Sequence, residues 1–255
     1  MSILLSGDFH NNALNELPLV AKPSLIQRYS QEQYDEIRYH VILGDGGFLS
    51  PGSEKYESAN YRELSKRPFP VLCVFGNHDP ALGRPDLPEI DIGIGERVIA
   101  ARKKDPFIAY LKRGRAYRIE NHTFLVLGGA LSIDKKFRKP GKSWWEQEYW
   151  TEAEKSDLFH LLESNSSFDY VLSHTGPRHI NNAVVNPLQR AGVMPTFFDE
   201  VAELNERIDC RITCRQWFCG HWHKDEYLYD ENLKRGYQYL YRKTALMDGD
   251  KITVL

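Results

Sequence analysis

Gly220-His221-Trp222-His223 sets two imidazoles two positions apart. Residues i and i+2 share a face of a strand, and on a loop leaving a strand both rings can enter one pocket. Four other short stretches carry similar chemistry: Gly7-Asp8-Phe9-His10, Gly44-Asp45-Gly46-Gly47, Gly76-Asn77-His78-Asp79 and Ser173-His174-Thr175-Gly176-Pro177. The set is built from Asp, Asn and His, with no Cys. Hard oxygen donors with borderline imidazoles suit Mn²⁺, Fe or Zn²⁺. The candidate ligands are Asp8, His10, Asp45, Asn77, His174, His221 and His223. Seven are too many for one catalytic ion with an open position and suit two. One aspartate can bridge a pair of ions about 3.5–4 Å apart.

These stretches need elements to bring them together, and the chain supplies short apolar runs just before them. The runs are Ile3–Ser6, His40–Leu43, Val71–Phe75, Tyr170–Ser173 and Gln216–Cys219, with a sixth at Thr123–Leu127. Short continuous apolar runs suit strands buried on both faces. Helical patterns lie between several of them. Ser24 with Gln27, and Thr151 with Glu154, have capping-box spacing. Residues 96–113 read as a helix, interrupted at Pro106. Residues 80–95 are rich in Gly and Pro and read as a loop on the active face. After residue 225, aromatic and polar residues alternate around "DEN" and "DGD" turns, which suggests antiparallel strands. The alternation of strands and helices argues a layered α/β domain. In such sheets ligands bind outside the carboxyl ends of the strands, where these five stretches fall.

The bulk numbers set limits. A chain of 255 residues with 42% hydrophobic and 27% charged residues has an ordinary globular composition. We expect one domain over residues 1–255. The net charge of −2 gives no global basic footprint for nucleic acid. No apolar run approaches the roughly 20 residues that span a bilayer, and the N-terminus reads as a first strand. Four cysteines in a chain this long do not make a disulfide framework. The expectation is a reduced, cytoplasmic protein. A zinc module from Cys210, Cys214, Cys219 and His221 competes with the reading above, but its spacing is irregular, and Cys219 sits in the apolar run "QWFC", where a buried free thiol is usual.

Taken in order, "GDFH", "GDGG", "GNHD", "SHTGP" and "GHWH" resemble the motifs of the calcineurin-like metallophosphoesterases, over residues 7–223. The resemblance implies an α/β fold, a β-sandwich of two mixed sheets flanked by helices. It implies a metal-dependent phosphoester hydrolase with two divalent ions (Mn²⁺ first, Fe, Zn²⁺ or Mg²⁺ as alternatives) and hydroxide attack in line on phosphorus. Asp8, His10 and His223 would hold the first ion. Asn77, His174 and His221 would hold the second, and Asp45 would bridge them. His78 would face the substrate, with Asp79 as its orienting partner.

The second motif reads "GDGGFLSPG", without the phosphate-binding arginine of the Ser/Thr phosphatase branch. Substrate phosphate should meet an arginine for its bidentate fit. The candidates are Arg138, in "DKKFRKPG", and Arg178, favoured because it directly follows the His174 loop. The segment "GGALSIDKKFRKPGKSWWEQE" resembles a stretch of small bacterial and phage members of the family. A phosphomonoester is the favoured substrate: a phosphorylated small molecule, a nucleotide or a phosphoprotein. Phosphodiester or nucleotide anhydride hydrolysis, or a non-catalytic scaffold, are the alternatives. "WWEQEYW" carries acids beside its aromatics, so nucleic acid is not favoured. The sequence carries no reading of oligomeric state.

Overall fold

The computed structural model describes residues 1–10, 17–49, 61–80, 86–102, 107–190 and 198–255. Two sheets form the centre. The strands of the first are β1 (Ser2–Ser6), β2 (Ile37–Ile42), β3 (Val71–Cys73), β4 (Glu89–Ile90), β5 (Val98–Ala100) and β6 (Ile108–Tyr110), with β13 (Thr244–Asp248) and β14 (Lys251–Val254). Their order is β14-β13-β1-β2-β3-β6-β5-β4. The second holds β7 (Arg115–Ile119), β8 (His122–Leu127), β9 (Tyr170–Ser173), β10 (Gln216–Cys219), β11 (Tyr227–Asp230) and β12 (Arg235–Tyr239), ordered β11-β12-β10-β9-β8-β7. β1, β2, β3 and β6 run parallel, as do β8, β9, β10 and β12. Each sheet therefore presents its carboxyl ends at one edge.

Side chains alternate across a strand, and here both faces are buried. Ile3, Leu5, Val41 and Leu72 from one sheet meet Phe124, Val126, Leu172 and Phe218 from the other in the inter-sheet core. On the outer face of the first sheet, Leu4 packs with Leu25 of α1 (Lys22–Tyr29) and Tyr34 of α2 (Gln31–Asp35). On the outer face of the second, Leu125, Val171 and Trp217 pack against α3 (Glu152–Ser164), α4 (Arg178–Arg190) and α5 (Glu200–Asp209), through Leu158, Val184 and Leu204. The two-sided burial explains why these strands read as continuous apolar runs.

All six apolar runs are strands. The Thr151–Glu154 capping box forms, with Glu154 N donating to Thr151 Oγ1 and the Glu154 carboxylate accepting from Thr151 N. The tail pairs antiparallel, β11 with β12 and β13 with β14. Two expectations are corrected. The helix over 96–113 is instead the antiparallel pair β5–β6, with Ile99 opposite Tyr110 and Ala100 opposite Ala109. Val98 and Ile108 are β-branched and fully buried in the sheet, and tertiary packing overrides the helical spacing; Pro106 lies outside the described residues. The Ser24 cap does not form, because α1 starts two residues earlier, with Pro23 in its first turn and no side-chain cap at Ala21. In the 80–95 stretch, the described residues, 80 and 86–95, include the edge strand β4 and line neither cavity at the candidate site.

Candidate metal centre

The loops after β1, β2, β3, β9 and β10 meet at one edge, and their backbones are tied to each other. Phe9 N and His10 N donate to Asp45 O at 3.2 and 2.7 Å, and Gly220 N donates to His174 O at 2.9 Å. The packing is tight enough to exclude side chains. A Cβ on Gly76 would lie 2.0 Å from Asp45 Oδ1, and one on Gly220 would lie 2.3 Å from Asp8 Oδ1. The glycine of one motif thus makes room for the carboxylate of another. His10, Asp45, His221 and His223 all have positive φ, at 44°, 51°, 68° and 51°. Such backbone costs about 1–3 kcal/mol per residue and persists where the surroundings enforce it. Each fully buried Val or Leu beneath the loops contributes about 1.5–3 kcal/mol, enough to hold them there.

Each carboxylate is split in function. Asp8 Oδ1 accepts from His221 N at 2.8 Å, and Asp45 Oδ1 accepts from His78 N at 2.8 Å. The Oδ2 atoms of both are buried with no hydrogen-bond partner. They face imidazoles instead. Asp8 Oδ2 lies 3.1 Å from His223 Nε2 and 3.5 Å from His10 Nε2. Asp45 Oδ2 lies 3.3, 3.6 and 3.7 Å from nitrogens of His174, His10 and His78. His10 Nε2 and His223 Nε2 are 2.7 Å apart.

His174 shows the consequence most clearly. Its Nδ1 lies 2.7 Å from Leu43 O, and a carbonyl only accepts, so Nδ1 carries the proton. In the neutral ring, Nε2 then aims a lone pair at Asn77 Oδ1, 3.0 Å away, and at Asp45 Oδ2. Acceptors facing acceptors call for a cation or a proton between them. Against the cost of burial, Asp45 and Asp8 push the His174 pKa up to about 10, and Asp8 and Asp45 push that of His10 up to about 9. His221 is the opposite case. Burial, then the charge of His174, lowers its pKa to about 3, and its Nε2 has no hydrogen-bond partner. A half-buried neutral imidazole beside two ionised carboxylates is a ready ligand.

The residues therefore fit a divalent pair. Asp8, His10 and His223 converge on one position, and Asp8, Asp45 and His174 on another. Asn77 Oδ1 and the His221 ring, 5.0 Å from that of His174 between centroids, border the second. A third group, His10, Asp45 and His78, also lies within ligand spacing. The His78 ring, however, is engaged by Arg138, whose Nη1 lies 2.7 Å from His78 Nδ1. None of these groups contains a cysteine. Cys219 is buried in the second sheet with Ser173 beside it, so the Cys/His zinc module has no counterpart at the site.

Three placements correct the sequence reading. Asp79 does not orient the His78 ring. It is buried beneath the loops and accepts from Gly46 N, Gly47 N, Gly76 N and Tyr110 OH, which pins two loops together. Burial, then the charge of Asp45, pushes its pKa up to about 6. Arg138, not Arg178, lines the site cavity of about 390 Å³ with His10, Asp45, Asn77, His78, Asp134, His221 and His223. Arg178 is 52% exposed and pairs with Glu203 at 2.6 Å and Glu206 at 3.7 Å, bordering a separate small cavity. Arg138 is held in place by Asp134, 2.5 Å from its Nε.

Other residues were missed. Ser132 Oγ accepts from Asn77 Nδ2 at 3.0 Å and donates to the buried Glu148 at 2.6 Å. This chain turns the Asn77 carbonyl oxygen toward His174. Tyr241 stacks on His223, with centroids 4.5 Å apart and planes 6° from parallel. Asp225 holds that loop through the backbone N–H groups of Tyr241, Arg242 and Lys243. The clue available was the residue chemistry of the 129–150 segment, whose polar groups needed buried partners.

The chain belongs to the calcineurin-like phosphoesterase family, whose profile matches residues 1–225. Members of this family depend on paired metal ions. No curated protein sequence matches it. One solved structure is superposable with a TM-score of 0.55 at 11% identity, covering 100% of this chain and 98% of the other. That likeness shows the fold. A putative 5′-nucleotidase from Staphylococcus aureus matches at 11% identity and TM-score 0.47, over 100% of this chain and 52% of its own. An archaeal phosphodiesterase matches at 11% and 0.38, over 100% of both chains. The family assignment makes the protein a metal-dependent phosphoric ester hydrolase. Among the described residues no helix is long and apolar enough to cross a membrane.

Proposed function

We propose that Asp8, His10 and His223 hold one divalent ion, that Asn77, His174 and His221 hold a second, and that Asp45 lies between them. The observation that carries this is the pair of buried Oδ2 atoms, on Asp8 and Asp45, left without hydrogen-bond donors and faced by imidazoles. Bound there, the ions would supply water acidified toward neutrality and charge compensation for a phosphoryl group. Mn²⁺ is the first ion to test, since hard oxygens with imidazoles suit it.

The chain's own groups then bind and orient the ester. Arg138 presents a guanidinium to the phosphoryl oxygens. An arginine only donates, and Arg138 faces both ring nitrogens, with Nη1 2.7 Å from Nδ1 and Nη2 3.2 Å from Nε2. A neutral ring has one acceptor, and the shorter contact assigns that role to Nδ1 and the proton to Nε2. Burial first, then the charges of Arg138 and His10, lowers the His78 pKa against the opposing pull of Asp45, keeping the ring neutral. In that state His78 donates to the ester oxygens and can pass a proton to the leaving one. Asp79 supports His78 indirectly, by fixing the loops of Asp45 and Asn77.

In the sequence, acids beside the Trp-rich stretch argue against a nucleic-acid substrate. Of those acids, Glu148 is buried against Ser132, while Arg138, Lys142 and Trp145 line the cleft; a phosphomonoester is the first substrate to test and a phosphodiester the second. Substrates in reach are phosphorylated small molecules and nucleotides. The test is release of p-nitrophenol from p-nitrophenyl phosphate and from its bis-ester, with Mn²⁺ added and after chelation. Metal-dependent release supports the reading. Metal-loaded protein that hydrolyses neither ester, and binds a protein partner in calorimetry, supports the scaffold alternative.

A further inference from the structure

The site opens into two arms, not one. The cavity of about 390 Å³ runs past Asn77, Ile133, His221 and Trp222. A second, of about 230 Å³, runs past Gly47, Lys142, Ser143 and Trp145. His10, Asp45, His78 and Arg138 wall both, so the arms meet where the ions and the phosphoryl group would be held. At about 230 Å³ the second arm has room for an aromatic ring.

Its lining is specific. Trp145 offers an indole and Lys142 an ammonium, the pairing of stacking surface and cation that binds aromatic groups carrying phosphate. The neighbouring Trp144 is used differently, with Lys135 Nζ over its ring at 4.0 Å and Tyr149 beside it. The local charge is also one-sided. Lys135, Lys136, Arg138, Lys139 and Lys142 stand against the single acid Asp134 over residues 134–142, in a chain whose net charge is −2. A monoester has one organic group to house and needs one arm. A diester has two.

We propose that the groove of Lys142, Ser143 and Trp145 is a subsite for the aromatic group of a phosphodiester, whose phosphorus lies at the junction of the arms. This rests on the hydrolase reading above and narrows it. Water adds across one P–O bond. The departing oxygen leaves with a proton as an alcohol or phenol, and the group in the other arm stays on phosphorus as a monoester.

The experiment uses three diesters that share a p-nitrophenolate leaving group and differ in the retained group: methyl, phenyl or thymidine 5′-yl. The metal-loaded protein should show a KM about tenfold lower for the phenyl and thymidine esters than for the methyl ester. Trp145→Ala should erase that difference, and Trp145→Phe should keep most of it. A thymidine ester favoured over phenyl, by a margin that Lys142→Ala removes, identifies a nucleoside group. Equal phenyl and thymidine values identify a general aryl group. No advantage over methyl in the wild type, or equal losses for all three esters in Trp145→Ala, overturns the subsite. Calorimetry with thymidine 5′-monophosphate separates the two readings. Binding that depends on Trp145 without turnover of any ester overturns the hydrolase reading and leaves the subsite standing; turnover of the three diesters with KM values and thymidine 5′-monophosphate binding that do not depend on Trp145 does the reverse.

Discussion

Two clusters in this molecule bury aspartates beside basic side chains, and they finish their hydrogen bonding differently. In one, Asp209 accepts from Arg235 Nη1 at 2.5 Å and from Tyr237 OH at 2.6 Å, so both its oxygens have donors. In the other, Asp8 and Asp45 each give Oδ1 to a backbone N–H and keep Oδ2 without one. Burial is the same in kind, since all three carboxylates are at most 1% exposed. A buried polar atom without a partner costs about 1–3 kcal/mol, more when charged. The Asp209 cluster avoids that cost and serves packing. The Asp8–Asp45 cluster keeps it, in a form that a cation relieves.

Exchanging each carboxylate for its amide breaks the comparison most sharply. Asp45→Asn should lower turnover by more than about 10²-fold and reduce bound metal, with the protein still folded. Ester turnover, elemental analysis and circular dichroism check it. Asp209→Asn should do the reverse: turnover per folded molecule is kept, while stability falls by about 3 kcal/mol or more because Arg235 loses its partner, measured by urea unfolding. Wild-type turnover and metal content in Asp45→Asn would remove it from the site. Next in size is chelation. Stripping the ions should abolish turnover, and adding Mn²⁺ should restore it. Metal at about 100 times its Kd should also stabilise the fold by about 2.7 kcal/mol, read from thermal midpoints with and without the ion. Asp209→Asn should show the same metal-dependent gain.

A smaller effect belongs to the Glu148–Ser132–Asn77 chain. Glu148→Ala should cost about 10–100-fold in metal affinity or turnover, with Glu148→Gln recovering part of it, since an amide oxygen can still accept from Ser132. Equal losses in both variants, matched by equal losses of stability, would make the chain structural. This chain also marks where sequence reading stops. The five strand-end motifs were legible because each carries its own chemistry within four or five residues, and the strands beneath them because they are apolar on both faces. Glu148 and Ser132 were not, because their meaning lies in a contact between Asn77 and Ser132, 55 residues apart. Arg178 misled because adjacency to His174 in the chain is not adjacency in space: helix α4 carries it away, to Glu203 and Glu206. The β5–β6 pair escaped because helical spacing of apolar residues also fits two short strands in succession.

Asp199 supplies the finest test, because it shares one feature with the site and lacks the other. Its Oδ1 caps α5 through Val201 N and Ala202 N at 3.0 and 3.1 Å, and its Oδ2 is buried without a partner. Among the described residues, no histidine is one of its hydrogen-bond partners or lines the cavity it borders. Without imidazoles the unfinished oxygen should take a proton, not a metal. Burial, with Glu148 and Glu200 adding to it, pushes the Asp199 pKa up to about 6, above its ordinary 3.8. The folded protein then holds this proton more tightly than the unfolded chain does. Stability from this group is therefore greatest below pH 4 and is lost as pH rises through 6. Asparagine caps a helix about as well as aspartate and carries no charge to bury. Asp199→Asn should be more stable than wild type at pH 8, by on the order of 1–3 kcal/mol, with the gain gone by pH 4 and bound metal unchanged. Thermal melts across that range decide it. A gain that persists at pH 4 would mean that the unpartnered oxygen is not what Asp199 answers to, and the contrast with Asp8 and Asp45 would then rest on the imidazoles alone.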